Sequence, residues 1–277
     1  MGLSRVVGIV ATLLACLGAG SALAADPAPW ETGFQPAATP VMARIESLNT
    51  GVTIIIVLIG LLVLGLLTYV IARFNHRTNP NPSRTTHNTV VEMIWTIVPI
   101  LILVGIAIPS FKLLYFQGVI PRADLTVKAI GHQWYWSYEY PDNGNFTFDA
   151  NLVAEKDLKP GQLRLLTTDN ALVVPAGETV RLQTTSTDVI HSWSIPSFGV
   201  KMDAVPGRLN ETWFKVEQPG LYYGQCSQLC GNGHGYMPIM VQALSKADYD
   251  KWVAEAKTKF AKADGAVTTQ IAAAPAN

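Results

Sequence analysis

Hydrophobic and polar positions divide the chain into three regimes. Residues 52–72 are an unbroken apolar run, with Arg44, Glu46 and Arg73 as its charged flanks. At about 1.5 Å of rise per residue such a run crosses the ~30 Å hydrocarbon layer, so it predicts a transmembrane helix. A second apolar run, residues 90–115, holds Pro99 and Pro109. A membrane helix accommodates prolines where neighbouring helices or waters satisfy the freed carbonyls, so this run is also predicted to span. The two spans make a helical hairpin over residues 44–118, joined by a loop over residues 74–88.

From Asp124 the period changes. Short β-branched and aromatic runs, broken by Gly, Pro, Asn and Asp, occupy residues 125–130, 133–140, 163–168, 179–187, 211–216, 220–225 and 236–243. Seven such runs predict a β-sandwich or Greek-key barrel over residues 122–245. Alternation along 133–140 sends Trp134 and Trp136 to one face and Tyr135 to the other. A closing helix is predicted over 246–262: Ser245 and Asp248 form a capping pair, and Tyr249, Trp252, Val253, Ala256 and Phe260 share a face. The Ala- and Thr-rich segment 263–277 predicts a disordered tail.

The N-terminus follows a different rule. Arg5, an apolar stretch over 6–17 and then Ser21-Ala22-Leu23-Ala24-Ala25 predict a cleaved export signal over residues 1–24. A retained short anchor and a lipid-modified Cys16 are the alternatives. Residues 25–43 then form an external N-terminal segment. Arg73, Arg77 and Arg84 around the connecting loop, against Asp26 and Glu31 before the first span, put that loop on the cytoplasmic side. The β domain therefore lies on the outer face of a bacterial inner membrane.

Composition narrows the partners. The 277 residues carry 20 basic and 20 acidic side chains. A net charge of zero excludes a broadly basic nucleic-acid binder, so docking must come from local patches.

Of three cysteines, Cys226 and Cys230 remain once Cys16 leaves with the signal. They stand in Cys226-Ser-Gln-Leu-Cys230-Gly-Asn-Gly-His234-Gly-Tyr-Met237, which gathers two thiols, an imidazole and a thioether between two predicted strands. Soft sulfur with imidazole selects copper. A mononuclear blue site needs one Cys, so the second is surplus to that design, and two thiolates can bridge two copper ions instead. His191, at a predicted strand end in Val189-Ile-His-Ser-Trp193, supplies a second imidazole. A disulfide and a zinc site are the competing readings; the thioether and the lack of a Cys-x-x-Cys pair weigh against zinc.

That loop, with Gly131-His-Gln-Trp-Tyr-Trp-Ser-Tyr-Glu-Tyr140, His191-Ser-Trp-Ser-Ile-Pro196 and Asp203-Ala-Val-Pro-Gly-Arg-Leu-Asn210, resembles subunit II of cytochrome c oxidase. The resemblance implies a membrane-anchored, cupredoxin-like Greek-key domain holding the binuclear CuA centre. It implies that Cys226 and Cys230 bridge two coppers, that His191 and Met237 complete one, and that His234 and the backbone carbonyl of Gln228 complete the other. It further implies electron entry at Trp134, docking of cytochrome c by Glu139, Asp169 and Asp188, and proton entry at Glu92. Assembly with subunit I, which carries haem and copper, and with subunit III follows from the same resemblance. Gln228 departs from the family's usual Glu, whose side chain also binds magnesium or manganese at the subunit I interface. A neutral amide is a weaker donor to a hard cation, which puts that second metal in question. A quinol-oxidase subunit of the same fold lacks the copper ligands found here. A copper-handling protein has no clear use for the two-helix anchor.

Overall fold

The computed structural model describes residues 27–261; the predicted export signal, Cys16 and the segment from residue 262, which holds the predicted tail, lie outside the described residues. The first helix, α1 (Pro40–Arg73), begins where Thr39 is extended, with φ −137°, and its hydroxyl accepts from the Met42 amide at 3.1 Å. Pro40 fits the first turn because its missing N–H would have had no helical partner. The helix starts before the apolar run because its first turn belongs to the β domain. The Thr39 hydroxyl donates to the Phe198 carbonyl at 2.7 Å, and Val41 and Met42 are buried.

The second helix, α2 (Thr89–Gly118), is capped by Asn88, whose side chain accepts from the Val90 and Val91 amides at 3.1 and 3.2 Å. Glu92 reaches back to the Asn88 amide at 3.2 Å, so cap and carboxylate satisfy each other's orphan groups. Pro99 and Pro109 stay inside the helix. Both helices are long and apolar enough to cross a membrane, with mean hydropathy of 3.1 and 2.4 over their most apolar windows and no burial of those windows within the chain.

The β domain is built from β1 (Leu125–His132), β2 (Tyr135–Tyr140), β3 (Phe146–Ala150), β4 (Leu172–Pro175), β5 (Val180–Ser186), β6 (His191–Ile195), β7 (Val200–Ala204), β8 (Asn210–Phe214), β9 (Gly220–Gln225) and β10 (Pro238–Leu244). One sheet has the order β3-β2-β1-β5-β8; β4-β10-β9 forms a second and β6-β7 a hairpin of its own. Pairing of β1 with β5 and of β4 with β10 is parallel, and the other neighbours are antiparallel. The alternating strands β1 and β5 bury every second residue, and Trp136, Tyr138, Trp193, Phe198 and Phe214 fill the space between the layers. Two phenols tie the layers together. Tyr140 Oη donates to the Val173 carbonyl at 2.7 Å and accepts from the Val173 amide at 2.9 Å, and Tyr138 Oη accepts from Trp193 Nε1 at 3.3 Å.

The strand expectations need correction in three places. Residues 163–168 form no strand: Leu165 has φ +64°, and the Thr167 amide turns back to the Leu163 carbonyl at 3.1 Å. The strands β3, β4, β6 and β7 went unread. Trp134 lies in the two-residue turn between β1 and β2, since His132 pairs with Tyr135, so strand alternation does not reach it. The last helix, α3 (Lys246–Lys259), follows the Ser245 cap and packs Tyr249, Val253 and Ala256 on the domain.

Candidate metal centre

Three strand ends set the site. His191 is the first residue of β6, Cys226 follows β9, and Met237 precedes β10. Because β9 and β10 are antiparallel neighbours, both ends of loop 226–237 come to one place. The Cys226 amide donates to the Met237 carbonyl at 3.0 Å and closes the loop, while the Ser227 amide donates to the Ser192 carbonyl at 2.9 Å and fastens it to β6.

The two thiols are free, buried and 3.8 Å apart. That separation is far beyond an S–S bond and close enough for both sulfurs to face a common ligand. An imidazole stands on either side: His191 Nδ1 is 3.9 Å from Cys226 Sγ, and His234 Nδ1 is 3.6 Å from Cys230 Sγ. The Gln228 carbonyl lies 3.3 Å from Cys226 Sγ, while the Gln228 side chain is at the exposed surface. Ligand atoms of His191, Cys226 and Cys230 all fall within 4.8 Å of one another. Met237 is fully buried at the loop's end. Two thiols and two imidazoles form a donor set that suits a soft metal such as copper, and the buried thioether of Met237 at the loop's end is a further donor of that type.

The turn after β1 braces the loop from outside. Gln133 Nε2 and Trp134 Nε1 both donate to the Cys230 carbonyl, at 2.9 and 3.1 Å. Trp134 lies so close over the loop that a Cβ at Gly233 would run into its indole, which explains a glycine there. Gly131 serves similarly, since a Cβ would sit 2.7 Å from His191 Cδ2.

Asp188 is the group that sequence reading placed differently. Its Oδ1 accepts from His191 Nε2 at 2.8 Å, and its carboxylate also takes the amides of Gln133 at 2.7 Å and Val189 at 2.6 Å. With Nε2 as the donor, His191 Nδ1 is left to face the sulfurs, the carboxylate–histidine arrangement that orients metal ligands. Spacing alone carried a hint, because Asp188 lies three residues before His191. Burial disfavours protonation of His191, but hydrogen bonding to Cys226 and Asp188 outweighs it and raises the pKa. Burial raises both thiols. The Cys226 thiol is nevertheless pulled down by its hydrogen bond with His191, while Cys230 is pushed further up by the neighbouring Cys226 charge.

The remaining predicted residues lie apart from the sulfurs. Glu139 pairs with Lys128 at 3.3 Å across β1 and β2. Asp169 is exposed and accepts from the amides of Asn151 and Asn170 at 2.7 and 2.8 Å. Glu92 caps α2 at the end opposite the β domain, about 40 Å along the helix from Gly118.

Fold and site together define a membrane-anchored β-sandwich protein with a thiol–imidazole cluster that could hold a metal at one end of the sandwich. Family models agree with each half: cytochrome c oxidase subunit II, transmembrane domain, matches residues 27–113, and cytochrome c oxidase subunit II, periplasmic domain, matches residues 125–244. The chain belongs to the cytochrome c oxidase subunit II family and is a component of an oxidoreductase complex. A probable cytochrome c oxidase subunit 2 of Rickettsia bellii is 50% identical over 238 residues, covering 86% of this chain and 88% of that protein. Cytochrome c oxidase subunit 2 of Zea mays is 49% identical over 251 residues, covering 88% and 96%. Among solved structures, the periplasmic domain of subunit II of the Bradyrhizobium japonicum cytochrome oxidase is 53% identical, with a TM-score of 0.49, and covers 52% of this chain and all of that one.

Proposed function

We propose that this chain is the electron-input subunit of a respiratory haem–copper oxidase. It receives electrons from reduced cytochrome c at a binuclear copper centre on the outer face of a bacterial inner membrane and passes them to haem in subunit I. Oxygen reduction and its coupled proton translocation belong to the assembled complex, with subunit III as a further partner. One observation carries the reading: two free, buried thiols 3.8 Å apart, each flanked by an imidazole nitrogen.

Two bound copper ions would supply one-electron redox chemistry. The Cys226 and Cys230 thiolates, His191 Nδ1, His234 Nδ1, Met237 and the Gln228 carbonyl would hold them. The loop's hydrogen bonds to β6, β10 and the Gln133–Trp134 turn hold these donors in place, which keeps rearrangement small when charge changes. Trp134 provides the contact from partner surface to ligand loop through its bond to the Cys230 carbonyl. Glu139, Asp169 and Asp188 present carboxylates to a lysine-rich partner. Salt screens such attraction, so cytochrome c oxidation by the complex should slow with rising salt even though internal partners weaken the field; a rate independent of ionic strength would end the docking role.

Glu92→Gln keeps the acceptor that caps α2 and removes the titratable proton, so it should slow proton-coupled turnover with the subunit still assembled. Gln228 offers an exposed amide oxygen to any magnesium or manganese at the subunit I interface, and metal analysis of the purified complex should find that ion substoichiometric.

The central test is copper loading of the full-length chain, purified in detergent under reducing conditions. Two coppers per chain, a purple colour and a seven-line paramagnetic spectrum are expected, and Cys226→Ser should abolish all three. A colourless product with a Cys226–Cys230 disulfide would sink the reading.

A further inference from the structure

Between α1 and α2, at the end of the hairpin nearest the β domain, lies an open groove of about 360 Å³ that the electron-transfer reading does not use. Its chemistry is graded with depth. Arg44 and Lys112 stand at its mouth, with Ser47 beside them, and Val52, Ile55 and Ile106 line the deeper part. From Arg44 to Ile55 the groove runs about 16 Å down the helix axis. Arg44 precedes the apolar residues 52–72 and Lys112 lies within the last turn of the run 90–115, so both cations reach the headgroup level while the aliphatic lining sits deeper in the hydrocarbon.

The space is real on both helices. A Cβ on Gly51 or Gly105, which face the groove, would meet nothing within 4 Å. Arg44 is held in position by the Phe116 ring, whose centroid lies 3.6 Å from the guanidinium carbon. Among the described residues neither Arg44 nor Lys112 forms an ion pair, although eight ion pairs occur elsewhere in the chain. Two unpaired cations over an apolar slot are complementary to one negative headgroup carrying an acyl chain.

We propose that this groove binds one anionic phospholipid, its phosphate between Arg44 and Lys112 and an acyl chain along Val52, Ile55 and Ile106. A zwitterionic lipid carries a choline or ethanolamine cation that the same two residues repel. A helix of another oxidase subunit is the competing occupant, and it would have to bring a carboxylate to the mouth.

The test titrates the detergent-solubilised full-length chain with phosphatidylglycerol or phosphatidylcholine and counts bound lipid by native mass spectrometry. One phosphatidylglycerol should bind well before phosphatidylcholine does. Removing each cation should weaken that binding roughly fivefold, and the Arg44→Gln/Lys112→Gln pair about 25-fold. Lys112→Gln alone leaves the Arg44–Phe116 contact intact and reads the charge effect without it, while Arg44→Lys/Lys112→Arg should retain the preference. Equal binding of the two lipids, or unchanged binding in the double variant, overturns the proposal. In the assembled oxidase, a benzophenone amino acid placed at Leu48, which also lines the groove, should take up the mass of a phospholipid on illumination. A covalent adduct to another subunit would assign the groove to a protein interface and overturn the proposal as well.

Discussion

Asp188 shows how one carboxylate can decide what an imidazole does. It accepts from His191 Nε2 at 2.8 Å and is itself fixed by two backbone amides and the Ser186 hydroxyl, so the ring cannot rotate without breaking several bonds. Loss of such an outer partner typically lowers metal affinity about 10–100-fold. Asp188→Asn should therefore retain copper at neutral pH but release it to a competing chelator at a markedly lower chelator concentration. If the competition curves of variant and parent coincide, the carboxylate serves the surface and not the ligand. Trp134 makes a separate case. Trp134→Phe keeps a ring over the loop and leaves Gln133 bonded to the Cys230 carbonyl. Copper content should stay unchanged while stopped-flow reduction by cytochrome c slows; equal rates would remove Trp134 from the entry path.

At the scale of elements, the buried tyrosines carry the tie between layers and set an alkaline limit. Burial raises the pKa of Tyr138, and burial with the neighbouring Tyr249 raises that of Tyr140 well above the ordinary phenol value of 10.0. A raised folded-state value means the stabilisation is fully present below the unfolded value and is lost as pH climbs past it. Above about pH 10 the domain should lose stability, and these two phenols should ionise only as it unfolds. An ultraviolet titration of tyrosinate would check this, and a smooth reversible titration of all tyrosines in folded protein would contradict it.

The same elements show what patterning could and could not reveal. The two spans, β9 and the Ser245-capped helix were legible because each signal is local: an apolar run, a turn-bounded aromatic run, a side-chain cap. β4 and β6, with four and five residues, are too short to show a period, and they are strands because β10 and β7 pair with them. The candidate ligands Cys226, Cys230, His234 and Met237 stand within one loop, so their grouping was readable from spacing. The bracing of that loop by Gln133, about a hundred residues earlier, depends on which strands become neighbours, and spacing carries no trace of it.

For the whole molecule, the question is how a β domain is held over a membrane hairpin. Both ends of the hairpin contribute. The first turn of α1 buries Val41 and Met42 and bonds through Thr39 to Phe198, and the Ala38 carbonyl accepts from the Glu217 amide at 3.1 Å. At the end of α2, Trp213 Nε1 donates to the Gln117 carbonyl at 3.2 Å and its ring meets Phe116 edge-on at 5.4 Å, with Arg44 closing over the same phenylalanine. These contacts mix polar bonds with buried side chains, so the domain is clamped at two points and does not swing on a linker. That geometry bears on the proposed function, because electron input from a soluble partner to an acceptor in the membrane would need a fixed distance to that acceptor. Met42 is the most testable part of the clamp, being 3% exposed and remote from the sulfurs. Truncating a buried methionine to alanine costs about 2–5 kcal/mol. At about 2–4 °C per kcal/mol for a domain of this size, Met42→Ala should lower the melting temperature of the β domain in the full-length chain by about 4–20 °C. Near-ultraviolet circular dichroism of the tryptophans would follow that melt, and copper loading at low temperature should be untouched. An unchanged melt would mean that the hairpin merely tethers the domain.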